Sequence, residues 1–223
     1  MHKEIFDLFH ERHCCRAFLQ EPVEPKLVEE AILAAGRAPS SKNTQPWGLE
    51  IVTGAKLEEL RTAILTSFEA KEPASPDFRY SPDPLSEAMM ARARACGFGL
   101  YKHKGIARDD KPARHAHDRE NFRLFGAPAY AIFTLPRESE KGTFMDGGMF
   151  VGSLLLSLRA VGYESTPMFS VATKPAVIRQ VLGIPEDRLV VLGLAFGKED
   201  PAAHVNAFRT EREPLESFVN WHA

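Results

Sequence analysis

Strands are scarce in this chain and stand far apart, and that spacing limits the folds open to it. Residues 47–51 alternate Trp47, Leu49 and Ile51 as a half-buried strand does, 127–135 read as a central strand, and 189–196 form a near-continuous apolar run typical of a fully covered strand. Long stretches of helical spacing surround them. A doubly wound sheet needs regular alternation of strand and helix, so three strong strands among long helices point to an α+β fold. A chain of 223 residues hides roughly 70% of its extended surface on folding, enough for one domain over 1–223. No internal repeat is present.

The helical stretches carry their own signals. Ile5, Leu8 and Phe9 lie on one stripe of 3–11. A second helix starts at Pro25 with Leu27, Val28, Ile32, Leu33 and Ala35 in phase; Gly36 weakens it and Pro39 stops it. Helical periodicity returns over 56–70 and 85–104, and 144–161 is the most apolar helix, with Gly147, Gly148, Gly152 and Ser153 as small surfaces. Thr173 and Pro175 open another helix that runs to Leu182. Residues 39–47 are polar and framed by prolines, a loop of restricted shape. Pro73, Pro76, Pro82 and Pro84, followed by the charged stretch 105–121, make 71–121 a lid-like excursion from the domain.

Several chemistries are excluded. A formal charge of −2 gives no support to a nucleic-acid surface. No Gly-x-Gly-x-x-Gly follows a strand and no phosphate loop occurs, so any phosphate must be held by side chains. His103, His115 and His117 lack the thiolate or acidic companions of a zinc site, and no metal is expected. No Gly-x-Ser-x-Gly elbow exists for a hydrolase. The N-terminus is charged where a signal peptide is apolar, and no run approaches ~18 apolar residues, so neither export nor membrane insertion is expected. The three cysteines, Cys14, Cys15 and Cys96, suit a reducing, cytoplasmic home. Cys14 and Cys15 stand among Arg12, His13 and Arg16, where a thiolate would be stabilised, although a packed pair of small residues is the preferred reading. Arg12, Arg16, Arg209 and Arg212 sit beside turn-forming or small residues, which suits an anion, although from charge alone solvated surface arginines are the preferred reading.

Taken in order, these segments resemble the FMN-dependent nitroreductase family along nearly the whole chain. The resemblance lies in Arg12-His13-Cys14-Cys15-Arg16-Ala17-Phe18 followed by Pro22-Val23, in the highly specific Ala38-Pro39-Ser40-Ser41-Lys42-Asn43-Thr44-Gln45-Pro46-Trp47, and in Val205-Asn206-Ala207-Phe208-Arg209-Thr210-Glu211-Arg212-Glu213-Pro214-Leu215. Tyr101, Gly105, Ile106, Asp109, Asn121 and Phe125-Gly126-Ala127-Pro128 resemble the nitrobenzoate-reductase branch. Cys14 stands where the family usually has serine, and Ser170 where some relatives carry glycine.

The resemblance implies a central, mainly antiparallel sheet flanked by helices in an intertwined homodimer. It implies FMN as cofactor, with Arg12, His13, Cys14, Arg16, Pro39, Ser40, Asn43, Gln45, Thr166, Pro167, Met168, Arg209 and Arg212 binding it. In that scheme Arg12 and Arg212 grip the phosphate, and Arg16 faces the pyrimidine edge. Pro39 and Ser40 come from the opposite subunit, and Thr166 to Met168, with Phe169 and Ser170, cross the central ring near N5. No acid–base residue is assigned; Arg16 and Thr166 tune the flavin. NADH or NADPH would reduce the flavin, and an electron-poor small molecule such as a nitroaromatic or quinone would reoxidise it by ping-pong turnover. Residues 71–121 would wall the acceptor site, with Tyr101 and Phe125 as stacking candidates against core packing. Reductive dehalogenation and flavin fragmentation are the alternatives within the fold. A non-catalytic flavin-binding redox sensor and a thiol-dependent transferase are the alternatives outside that chemistry.

Overall fold

The computed structural model describes residues 2–222. The chain runs α1 (His2–Glu11), α2 (Pro25–Ala35), β1 (Gly48–Thr53), α3 (Gly54–Glu69), α4 (Glu87–His103), α5 (Lys111–Phe122), β2 (Ala129–Pro136), α6 (Lys141–Ala160), β3 (Glu164–Met168), α7 (Phe169–Ala172), α8 (Pro175–Leu182) and β4 (Arg188–Gly197). The strands form one sheet in the order β1-β2-β4-β3, with every neighbouring pair antiparallel. The expected α+β architecture with an antiparallel sheet is therefore present. No helix among the described residues is long and apolar enough to cross a membrane.

Both faces of the sheet are covered, which explains why β2 and β4 read as continuous apolar runs rather than as alternating ones. Successive side chains of β2 go to opposite sides. Tyr130 and Ile132 pack with Leu57, Leu60 and Ile64 of α3 and with Ile178 of α8. Ala131, Phe133 and Leu135 pack with Val28 and Ala31 of α2 and with Phe150, Leu154 and Leu158 of α6. Two glycines permit close approaches. A Cβ on Gly193 would lie 1.8 Å from the Tyr130 hydroxyl oxygen, and one on Gly147 would lie 3.1 Å from the Phe133 ring.

Three features depart from expectation. Strand β3 was not anticipated, because Glu-Ser-Thr-Pro-Met has little apolar content and Pro167 cannot donate; it is tolerated at the margin of the sheet, paired along its length with β4 and bridged at Ser165 by the segment after α1. The charged stretch 105–121 contains helix α5, started by Asp110, whose side chain accepts the Ala113 N–H, and by an early proline. It buries no residue fully. In α1 the apolar stripe faces outward, with Ile5 51% and Phe9 58% exposed.

The excursion is rooted firmly at its start. Asp77 accepts both Arg179 guanidinium donors, at 3.1 and 2.6 Å, and the Val190 N–H at 2.8 Å. Ser75 N–H reaches the Thr173 carbonyl at 2.9 Å. At its end, Arg61 donates to the carbonyls of Arg123 (3.1 Å) and Ala127 (2.7 Å).

Candidate active site

The segment after α1 is drawn into the sheet margin. Cys15 N–H donates to Ser165 of β3 at 3.2 Å, Leu19 N–H to Lys198 at 2.9 Å, and Asp200 N–H to Ala17 at 3.1 Å. Between those anchors, Asn206 joins this segment to the C-terminal one. Its buried amide oxygen accepts the N–H groups of Arg16 (2.8 Å) and Ala17 (3.2 Å), and its amide nitrogen donates to the carbonyls of Ala17 (2.8 Å) and Asp200 (3.1 Å). All four capacities of one side chain are used to close a joint between residues about 190 apart in sequence.

That joint builds a cavity of about 350 Å³ lined by Arg12, His13, Cys14 and Arg16 from one segment and by Phe208, Arg209, Thr210 and Arg212 from the other, with Phe9 and His10 of α1 at its edge. Arg16 donates to the Cys14 carbonyl at 3.2 Å, Arg209 to the Asn206 and Phe208 carbonyls at 2.6 and 3.1 Å, and Arg212 to the Thr210 and Glu211 carbonyls at 3.2 and 2.9 Å. None of these four guanidinium groups has a carboxylate partner among the described residues, and Arg12 has no side-chain partner there at all. Arg12 and Arg16 are half-buried and Arg209 and Arg212 exposed, and like charges gathered on one cavity repel one another. A dianion relieves that repulsion and accepts bidentate forks, so the donor set fits the phosphate of FMN.

Not every expected residue faces the cavity in the same way. The His13 ring is 6% exposed and turned inward, with Nδ1 3.0 Å from the Glu11 carbonyl and Nε2 3.2 Å from Glu199. It fixes the segment rather than presenting a free edge. His13, Glu164 and Glu199 bring ligand atoms within 4.8 Å of one another, but Arg159 engages both Glu164 and Glu11, making an ion-pair network behind the cavity. Thr166 is buried on β3, and Met168 points into the core, its sulfur accepting the Tyr130 hydroxyl at 3.6 Å, so only Met168 backbone remains for a cofactor. Phe125 is a core residue. Cys15 is wholly buried, its Sγ donating to the Ala17 carbonyl at 3.1 Å, and burial pushes the thiol up to about 12. Cys15 is thus a neutral packed thiol at any ordinary pH.

Pro39, Ser40, Asn43 and Gln45 lie elsewhere, and none lines the arginine cavity of its own chain. Their loop is held in a costly shape, with Lys42, Asn43 and Gln45 at φ of 51°, 57° and 46°. Buried Asp146 of α6 accepts the Ser41 N–H at 3.1 Å, the Ser40 hydroxyl accepts the Gln45 N–H at 3.0 Å, and Trp47 stacks on Phe150 at 4.9 Å. The three histidines of the excursion are used separately: His103 stacks on His204 at 4.1 Å, His115 on Phe68 at 5.3 Å, and His117 bonds Lys104. Asn206, Asp146 and Glu199 had no assigned role in the sequence reading. The visible signal for Asp146 was a lone acid inside the most apolar helix.

The profile of the Nitroreductase family matches residues 10–198. The chain belongs to that family. It is 32% identical to a chloronitrobenzene nitroreductase of Comamonas testosteroni, over 97% of this chain and 96% of that protein. It is 31% identical to a 4-nitrobenzoate reductase of Pseudomonas putida, over 94% of this chain and 92% of that protein. Among solved structures, an FMN-dependent nitroreductase from Mycobacterium smegmatis in complex with NADPH superposes with a TM-score of 0.95 at 30% identity, covering 99% of both chains. The resemblance read from the motifs, including its branch, agrees with these nitroreductase relatives.

Proposed function

We propose that this chain is an FMN-dependent oxidoreductase that draws electrons from NADH or NADPH and passes them to nitroaromatics, quinones or similar electron-poor acceptors by ping-pong turnover. The observation that carries this reading is the cavity in which four arginines converge without a carboxylate. FMN, when bound, supplies the two-electron transfer in both directions. Arg12 and Arg212 hold its phosphate, aided by Arg209; Arg16 puts a fixed cation at the pyrimidine edge, where it favours the reduced state. Thr166, Pro167 and the Met168 backbone would lie along the flavin's central ring.

The protein works as a homodimer in which Pro39, Ser40, Asn43 and Gln45 of one copy complete the site of the other. Support comes from the separation of that loop from its own arginines and from unpartnered apolar faces. Ile5, Phe6 and Phe9 of α1 are 51–59% exposed, Met145 of α6 is 70% exposed, and Trp221 of the tail is 85% exposed. A Cβ on Gly148 or Gly152 of α6 would meet nothing within 4 Å. Residues 1–223 form one domain whose excursion, 71–121, walls the acceptor site. A cytoplasmic home is part of the proposal, supported by three cysteines free of disulfides. The redox-sensor alternative loses support because one of its two adjacent thiols is the buried, neutral Cys15. The purified protein should be yellow, and anaerobic NADH or NADPH should bleach it to the two-electron-reduced form. Failure of both nucleotides to bleach it overturns the oxidoreductase reading.

A further inference from the structure

Asp146 is the one acid of α6, and it is 7% exposed. Among the described residues its carboxylate accepts a single hydrogen bond, from the Ser41 N–H at 3.1 Å, and no cation is paired with it. Burying a carboxylate for one backbone donor costs the core more than an apolar side chain would. The value of the residue therefore lies in the loop that it holds.

That loop is fastened at both ends. Phe150, one helical turn beyond Asp146 and so on the same side of α6, stacks on Trp47 at 4.9 Å. Arg188 donates to the Pro46 carbonyl at 3.1 Å and to the Thr134 carbonyl at 3.0 Å, which ties the loop's end to the sheet. Its start is tied to α6 by the Asp146–Ser41 bond. Between the two ends Lys42, Asn43 and Gln45 stand in the left-handed region, a shape that holds only where the surroundings enforce it. The outer side of α6 carries Met145 and Met149, 70% and 39% exposed, and the open Gly148, the face assigned to the second copy. One helix thus bears that face and the loop, while the arginine cavity of the same chain is lined by neither.

We infer that Asp146 is a positioning residue for the flavin site of the opposite copy: its carboxylate fixes Ser41, and through it the Ser40 hydroxyl and the Asn43 side chain that complete that site. This deepens the shared-site reading and rests on it. Loss of Asp146 harms the cofactor held by the other copy and spares the arginine cavity of its own chain.

The test uses hybrid dimers, each copy carrying a different affinity tag, with the mixed species isolated through both. Asp146→Ala and Arg212→Ala homodimers should each bind FMN about tenfold or more weakly in equilibrium dialysis, the scale of one charge-assisted hydrogen bond. In the Asp146→Ala/Arg212→Ala hybrid, one site joins intact arginines to an intact loop and the other joins both lesions. A single FMN should then bind at the parental Kd. A hybrid with no site of parental affinity overturns the inference, because damage confined to the altered copy, general loosening included, leaves neither site whole. An Asp146→Ala homodimer with the parental Kd overturns it as well. The Asn43→Ala/Arg212→Ala hybrid tests the reading beneath: if no mixed dimer forms, or it too lacks a parental site, the shared site fails. If it has one and the Asp146 hybrid does not, only the role of Asp146 fails. Asp146→Asn keeps an oxygen for the Ser41 N–H and should recover most of the affinity. Ser41→Pro deletes that N–H from the loop's side, Ser40 being already extended at φ −143° and ψ 155°, as a residue before proline is. It should behave as Asp146→Ala does in the hybrid, and it carries the same test should Asp146→Ala not fold.

Discussion

Replacing Asn206 with alanine removes four hydrogen bonds at once from a buried joint. At about 1 kcal/mol net for each bond, the loss is roughly 3–4 kcal/mol, and a higher figure applies if the Arg16 and Ala17 N–H groups stay dry and unpaired. A protein of this size loses about 2–4 °C of Tm per kcal/mol, so the apoprotein should melt roughly 6–15 °C lower by scanning fluorimetry. Cofactor affinity should fall as well, because Arg16 on one side and Arg209 on the other are held at their spacing through this residue. If re-closing the cavity requires only ~1.4 kcal/mol, FMN binds tenfold more weakly in equilibrium dialysis. Asn206→Asp keeps the acceptor and loses the donors, and it should fall between the two. An alanine variant with the parental Tm and FMN Kd would refute the idea that this side chain holds the two arginine segments together.

Arg212→Ala should weaken FMN retention by about tenfold or more through loss of a charge-assisted partner, read by dialysis, while apoprotein Tm changes little because the side chain is exposed. With native protein, a maleimide should modify Cys96, which is exposed, and leave Cys15 untouched until denaturant is added; mass spectrometry of the labelled peptides decides it. His117 takes its proton at lower pH when folded than the usual value near 6.5. The unfolded chain therefore binds more protons as pH drops through 6.5, stability falls there, and His117→Gln should flatten the decline in Tm between pH 7 and 5. Gly193→Ala should be poorly folded, since its Cβ would lie 1.8 Å from Tyr130, while Gly193→Ala with Tyr130→Phe should recover only part of the Tm because the ring carbons also crowd that point.

Periodicity and punctuation made most of the fold legible. Pro25 and Pro39 bounded α2, and the apolar density of β2 and β4 announced strands covered on both faces. β3 escaped because its identity as a strand comes from pairing with β4, which no local signal in Glu-Ser-Thr-Pro-Met encodes. α5 escaped because a helix that buries no residue fully has no apolar stripe to read, only its Asp110 cap. Ile5 and Phe9 formed a true helical stripe whose outward direction depends on what the stripe meets. In the site, guanidinium groups were readable as anion ligands by residue type. The convergence of Arg12 and Arg16 with Arg209 and Arg212 depended on Asn206, an uncharged side chain whose value lies wholly in four geometric contacts across the chain.

The buried Asp77–Arg179 anchor, with Arg61 gripping the far end, makes the segment between them a graft rather than a strut. A cut by protease among residues 80–86 should leave a nicked particle that still migrates as one under native conditions, because each stump stays fastened to the sheet. Between its two fastenings the same stretch also buttresses the arginine socket, since His103 of α4 stacks on His204 at 4.1 Å and Arg92 pairs with Glu213 at 3.5 Å, on either side of Arg209 and Arg212.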